Sequence, residues 1–350
     1  MEKKMKIGFT LGDINGVGPE VLVKALSDHR ILQYCTPVIY GSNKILAYYK
    51  KVAGTEHFKY ASCDAIENAN PKIINVINTI HEDIELTPGI ENETGARCAF
   101  DSLEAAANDL IAGKVDAVVT APINKHNMQR VGFQFNGHTE YFDYKAGNNG
   151  NLMMLMNDQM RIALATHHVP LKDVPGILSE EFILKKIDLL HRSLVEDFAV
   201  MRPVIAVLGL NPHAGDNGLL GSDEAEVIIP AIQKAQDKKM LVVGPLAADG
   251  LFGSGNYKQY DGILAMYHDQ GLVGFKALSF NSGTNFTAGL PFVRTSPDHG
   301  TAYDIAGKGI ADGGSMLQAL YTAIDVIRNR ERYHTERENR LIPTPLRSEK

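Results

Sequence analysis

Val204-Ile-Ala-Val-Leu-Gly-Leu-Asn-Pro-His213-Ala-Gly215 is an apolar run that empties into a polar, glycine-containing loop. A strand with one wet face would alternate apolar and polar residues. This one does not, so both faces must be covered, as in a parallel sheet clothed by helices. Similar short β-rich runs occur at Ile7–Thr10, Pro37–Tyr40, Ile73–Ile77, Ala117–Thr120, Arg161–Thr166, Leu241–Val243 and Gly262–Tyr267. Helical patterns separate them. Thr94–Ala112 places Cys98, Ala99, Leu103, Ala106, Ala107, Leu110 and Ile111 at helical spacing, and Gly113 ends it. Ser179–Phe198 and Ser222–Lys238 each open with a capping serine followed by two acids. Gly314–Arg330 reads as the last long helix, with a polar, frayed tail from His334.

Strands alternating with helices predict an α/β fold with a mostly parallel sheet. No internal repeat or low-complexity linker divides the chain, so the expectation is one two-lobed unit with a central cleft. The first lobe comprises 1–140 plus 285–335. The second comprises 141–284, with 336–350 as a flexible tail.

The chain has 350 residues, 44% of them hydrophobic, enough to bury a large core. Its formal net charge of -6 lacks the basic surplus of a general nucleic-acid binder. An anionic ligand must therefore be drawn by a local cluster of cations or by a metal. Cys35, Cys63 and Cys98 are scattered and imply no disulfide framework. No apolar run is long enough for a signal peptide or membrane span, so a cytoplasmic location and no membrane partner are expected.

Three strand-like runs end in histidine. Arg161-Ile-Ala-Leu-Ala-Thr runs into His167-His168, Val204–Gly209 leads to His213, and Ile263-Leu-Ala-Met-Tyr leads to His268. Ligand crevices of open α/β sheets lie beyond the carboxyl ends of the strands. Three imidazoles delivered there would leave a divalent metal one open position for a substrate oxygen. Taken singly, each histidine is more often a hydrogen-bonded structural residue than a ligand. If the strand continues to its end, His167 and His168 face opposite ways, so only one of them is a ligand.

Other polar groups fit an anion. Asn136-Gly-His138-Thr139-Glu140 offers an imidazole and a hydroxyl after a turn, or else simply caps a helix. Lys276, Asn285 and Arg294 lie in the glycine-rich Gly271–Arg294 region, and Arg294 interrupts an otherwise apolar run. His299-Gly-Thr-Ala-Tyr-Asp304 is rich in small residues, where backbone can approach a cofactor and Asp304 can accept from a ribose. Gly12-Asp-Ile-Asn-Gly-Val-Gly-Pro19-Glu matches neither nucleotide-loop pattern and reads as a turn packed against the cleft.

Together these motifs resemble the 4-hydroxythreonine-4-phosphate dehydrogenase family of pyridoxal 5'-phosphate biosynthesis. Gly-Val-Gly-Pro-Glu (16–20), Thr-Ala-Pro-Ile-Asn-Lys (120–125), Gly-His-Thr-Glu (137–140), Ala-Leu-Ala-Thr-His-His-Val-Pro-Leu (163–171), Gly-Leu-Asn-Pro-His-Ala-Gly (209–215), Ala-Met-Tyr-His-Asp-Gln-Gly (265–271) and Gly-Leu-Pro-Phe-Val-Arg-Thr-Ser-Pro-Asp-His-Gly-Thr-Ala (289–302) follow the family's order. The His299–Ala311 segment is also similar to the adenosine-binding loop of isocitrate and isopropylmalate dehydrogenases. The resemblance implies their α/β/α sandwich, with the active site between the lobes. It implies a homodimer whose shared active sites hold one divalent metal, Zn, Mg or Co, on His168, His213 and His268 drawn from both subunits. It implies substrate contacts at His138, Thr139, Lys276, Asn285 and Arg294, and NAD (or NADP) near His299, Gly300 and Asp304. Asp249, Asp269 and Lys276 all remain open as the base, with Asp249 and Asp269 taken as the candidates. Departures lie at Asp13-Ile-Asn, Asp216 and Asp249-Gly250, none of which removes a ligand.

The implied reaction is NAD-dependent oxidation of 4-phosphooxy-L-threonine at C3, then decarboxylation to 3-amino-2-oxopropyl phosphate. The alternative within the family is oxidation of 4-phospho-D-threonate or 4-phospho-D-erythronate. An acyl-phosphate transferase on a similar fold and a non-catalytic metabolite sensor are the readings from other classes.

Overall fold

The computed structural model describes residues 4–148, 150–279 and 283–338. Its strands are β1 (Met5–Thr10), β2 (Cys35–Gly41), β3 (Tyr60–Ser62), β4 (Ile74–Asn78), β5 (Ala117–Val119), β6 (Leu152–Met156), β7 (Arg161–Leu164), β8 (Val204–Leu208), β9 (Leu241–Leu246), β10 (Gly262–Ala265), β11 (Thr284–Ala288) and β12 (Val293–Pro297). They form one sheet in the order β3-β4-β2-β1-β5-β12-β11-β6-β7-β10-β8-β9. All seven residues of β2 are buried, as the apolar runs predict. Helices pack against the sheet, so the α/β expectation holds.

The sheet is parallel in both outer parts and antiparallel at its seam. β12 pairs antiparallel with β11, β11 with β6, and β6 with β7. Three reversals mean that β7, β10, β8 and β9 run opposite to β1, β2, β4, β5 and β12. The carboxyl ends of β7, β10 and β8 therefore share one edge, side by side.

Several elements depart from the sequence reading. β3, β6, β11 and β12 are additional strands, and the apolar Leu-Met-Met-Leu-Met of β6 lies at the seam. The glycine-rich Gly271–Arg294 region is mostly regular structure, not one irregular stretch. It holds the helix His268–Ser279, then β11, then the start of β12. The helical glycines serve close packing: a Cβ on Gly271 would sit 2.8 Å from the Ile162 side chain, and one on Gly274 2.8 Å from Phe252. Ser222–Lys238 becomes a π-helical turn, Glu224–Ile228, followed by Ile229–Asp237. The last helix runs past Arg330 and His334 to Glu338, so the expected fraying does not begin at His334. The expected 336–350 tail otherwise falls outside the described residues. Among the described residues, no helix is long and apolar enough to cross a membrane.

The Gly12–Glu20 turn is a brace. Val17 N–H donates to the Thr301 carbonyl at 2.8 Å, and a Cβ on Gly16 would sit 2.8 Å from that oxygen. The Tyr303 hydroxyl donates to Asp13 at 2.7 Å. Wholly buried Glu20 accepts from the Ala311 N–H at 2.9 Å and pairs with Lys24. The turn's polar groups thus hold the 299–311 loop, in keeping with its reading as packing.

Candidate active site

The seam of the sheet floors a cavity of about 270 Å³, lined among others by Thr120, Lys125, His138, Thr139, His168, His268, Lys276, Asn285, Arg294, Ser296, His299 and Gly300. Residues far apart in sequence meet here because β5, β12, β11 and β6 are neighbours. Arg294 pairs across from Val118 of β5, and Asn285 of β11 pairs with Ser296 of β12.

Arg294 is 2% exposed. Its guanidinium donates to Thr120 Oγ1 at 2.7 and 3.1 Å, to Thr287 Oγ1 at 3.2 Å and to Ser296 Oγ at 3.0 Å. Among the described residues it has no carboxylate within ion-pairing distance. Hydroxyls orient the fork but do not neutralise it. Burial pushes Arg294 down to about 9, against the opposing charge of Glu140. A buried cation lacking a counter-ion is a site for an anion, and a planar fork suits phosphate or carboxylate.

The neighbouring groups also lack partners. His138 Nε2, Asn285 Oδ1 and His299 Nε2 are closed off from solvent without a hydrogen bond among the described residues. His138 opens the short helix His138–Lys145, beside buried Thr139. Desolvation, reinforced by Arg294 and Lys125, holds its imidazole well below the usual 6.5. It is therefore neutral at pH 7 and can donate or accept at the cavity wall.

That depression sets a pH dependence. Unfolded, His138 takes up a proton as pH falls through about 6.5; folded, it does not. Its contribution is complete above 6.5 and is lost on acidification, by at most about 1.4 kcal/mol per pH unit. Thermal midpoints between about pH 7.5 and 5.5 should fall more steeply for the native chain than for His138→Asn. Equal slopes would show that His138 titrates normally in the fold.

His167 and His168 do not face opposite ways. β7 stops at Leu164, so strand alternation no longer governs them. Both turn to Glu140, at 3.4 Å from His167 Nδ1 and 2.7 Å from His168 Nδ1, with their rings edge to face. Burial pushes the Glu140 carboxyl up, but the hydrogen bond from His168, a backbone N–H and the charges of His168 and His167 together outweigh it, and the net direction is down. With Nδ1 held by Glu140, His168 turns Nε2 to the Lys125 ammonium, 2.9 Å away. A carboxylate on one ring nitrogen is the usual support for a metal-binding imidazole.

His268 lines the same cavity, with Nδ1 2.7 Å from Asp269. His213 does not. It sits in a left-handed run, φ 52°, inside the loop 212–218 and opens onto a second cavity shared with Asp249 and Asp269. That loop is anchored by buried Glu224, which accepts from Leu210 and Asn211 N–H at 2.8 and 2.7 Å. β7, β10 and β8 are adjacent, so the outer two lie about 10 Å apart, too far for one ion unless the loops converge. One chain thus presents His168 and His268 at one cavity and His213 at the next. Among the described residues, Glu140, His167 and His168 form the one cluster with metal-ligand spacing. The imidazoles suit a divalent metal chemically, but one chain does not gather His168, His213 and His268.

In the 299–311 loop, His299 and Gly300 line the first cavity, and a Cβ on Gly300 would meet nothing within 4 Å. An unpartnered imidazole nitrogen beside open backbone fits a polar cofactor edge. Asp304 is exposed farther along the loop and does not line that cavity. Lys276 reaches the Asp298 carbonyl only at 3.4 Å. Thr120, Lys125, Glu140 and Ser296 were not singled out as site residues in the sequence. For Lys125 the sole signal is its place at the end of the Thr-Ala-Pro-Ile-Asn-Lys motif.

A cavity on an α/β sheet, walled by cations and unpartnered imidazoles, marks the chain as belonging to the class of α/β enzymes that grip small anions. A family model described as "Pyridoxal phosphate biosynthetic protein PdxA" matches residues 33–323, and the chain belongs to that family. It is 48% identical over 341 residues to a 4-hydroxythreonine-4-phosphate dehydrogenase of Bacteroides thetaiotaomicron, covering 97% of this chain and 93% of that one. It is 39% identical to a putative D-threonate 4-phosphate dehydrogenase of Oceanobacillus iheyensis, over 93% of this chain and 99% of that one. A crystal structure of 4-hydroxythreonine-4-phosphate dehydrogenase from Klebsiella pneumoniae superposes with a TM-score of 0.79 at 34% identity, covering 93% and 98% of the two chains.

Proposed function

We propose that this chain is an NAD-linked dehydrogenase that oxidises 4-phosphooxy-L-threonine at C3, with loss of carbon dioxide to give 3-amino-2-oxopropyl phosphate, in pyridoxal 5'-phosphate biosynthesis. The observation that carries this reading is Arg294, buried at the cavity wall with hydroxyl partners and, among the described residues, no paired acid. Arg294 and Lys276 hold the phosphate, assisted by Asn285, neutral His138 and the Thr139 hydroxyl. Held at its phosphate end, the substrate has its reacting carbon oriented by residues that take no part in bond breaking. His168, His213 and His268, brought together between two subunits, are the proposed metal ligands, and the His299–Asp304 loop is the proposed NAD contact. When bound, the metal supplies a Lewis acid and NAD a hydride acceptor. Asp249 and Asp269 are the candidates to take the hydroxyl proton, since both line the cavity onto which His213 opens. In this reading the 141–284 lobe carries the metal side and 1–140 with 285–335 the nucleotide side.

The test is absorbance of reduced nicotinamide with 4-phosphooxy-L-threonine and NAD, after chelation and again after adding a divalent metal. Metal-restored reduction is expected. Reduction only with 4-phospho-D-threonate or 4-phospho-D-erythronate would move the substrate to the alternative. No reduction with any of them would overturn the dehydrogenase reading.

A further inference from the structure

The cavity has more positive charge than a phosphate needs. Lys125 lines it from a different element than Arg294 and Lys276, and nothing in the proposed reaction uses it. Its backbone opens the helix Lys125–Arg130, fixed by the Asn124 side chain, which accepts from the N–H of wholly buried Asn127 at 3.0 Å. Its side chain lines the cavity, where Gly137 leaves room for it: a Cβ there would lie 3.3 Å from Lys125 Cε. An ammonium has three N–H donors. One is directed at His168 Nε2, 2.9 Å away. Among the described residues no carboxylate lies within ion-pairing distance of Lys125. Arg294 and Lys125 both hold the His138 imidazole down, so both cations face it.

We propose that Lys125 is a substrate-binding residue that takes the carboxylate of the phosphorylated hydroxy acid while Arg294 and Lys276 hold its phosphate. The inference rests on the substrate class proposed above, and it holds equally for the amino acid and the threonate forms, because both carry a carboxylate. An acid with anionic groups at both ends matches cations at separate points of the cavity. A phosphate alone matches only one. Lys125 has donors to give: His168 Nε2 takes at most one of its three N–H groups, and none once the proposed metal holds that nitrogen. Its exposure to the cavity lets the ammonium reach an incoming ligand without breaking an ion pair.

The experiment is calorimetric binding without NAD. It compares 4-phosphooxy-L-threonine with 3-amino-2-hydroxypropyl phosphate, the same molecule lacking the carboxylate. The native chain, Lys125→Met and Lys125→Arg are studied in one metal state. A hydrogen bond between charged groups corresponds to about a tenfold to hundredfold difference in affinity. The native chain should favour the acid by that factor. Lys125→Met should lose the preference and bind the amino alcohol as the native chain does, while Lys125→Arg retains part of it. Thermal midpoints of both variants should match the native value, since Lys125 is exposed. Equal weakening of both ligands in Lys125→Met would assign Lys125 to the phosphate or to structure and overturn the proposal, as would no weakening of either. If the native chain binds neither ligand, the substrate class itself falls, and Lys125 with it.

Discussion

Arg294→Met is expected to remove turnover while leaving the fold at least as stable. In the native chain a guanidinium 2% exposed is satisfied by three hydroxyls and, among the described residues, has no carboxylate within ion-pairing distance. Burying a cation without a counter-ion disfavours the folded state, and replacing it with an apolar side chain of similar reach relieves that cost. The hydroxyls of Thr120, Thr287 and Ser296 would then face methionine and lose some of the gain. The thermal midpoint should therefore stay level or rise. Function should move the other way. Removing one partner of a buried, hydrogen-bonded charge pair costs about 2–5 kcal/mol, roughly 30-fold to several-thousand-fold in kcat/KM. Inorganic phosphate adds an independent readout: it should raise the midpoint of the native chain, by binding only the folded form, and not that of the variant. A variant that unfolds several degrees early yet still responds to phosphate would assign Arg294 to structure.

His168→Ala and His213→Ala should each be inactive alone and regain activity when mixed. Within one chain the two histidines open onto different cavities, so neither chain gathers the set. If the proposed metal centre forms between subunits, His168 of one chain meets His213 of the other. Refolding the two variants together produces mixed dimers, each with one site free of either substitution and one carrying both. Random pairing gives roughly a quarter of native activity. Loss of the Lewis acid from each parent should lower turnover by several kcal/mol, about a thousandfold or more. Metal content would rise in the mixture in step with activity. Parents that retain full metal and turnover would dispose of the three-histidine centre. Inactive parents that never complement would place its ligands within one chain.

The sequence shows the placement of several site residues but not the contacts they make. His168, His213 and His268 follow strands that are visible as apolar runs, and the structure sets those strands side by side at one edge. Whether the imidazoles meet depends on the loops, and the left-handed run at His213 is not written in any periodicity. His167 and His168 were expected on opposite faces because alternation was carried past Leu164, where the strand ends. The helix at His268–Ser279 was hidden by its glycines. These weaken helical propensity, yet they are required by the close approach of Ile162 and Phe252, side chains far off in sequence. Arg294 was conspicuous as a charge in an apolar run, but its lack of an acid partner became visible only with its surroundings.

What the sequence by itself determined is the α/β class, most of the strands and the long helices. Burial on both faces of a strand and amphipathic helical spacing are local properties, recorded in the order of apolar residues. Its charge balance also determined that any anion must be gripped by a local cluster of cations. The tertiary structure alone decided that β11 and β6 reverse the sheet at its seam, that Thr120 meets Arg294, that Lys125 meets His168, and that His213 stands apart. Those outcomes depend on which surfaces approach one another, and residues 43 or 174 positions apart carry no local record of their meeting.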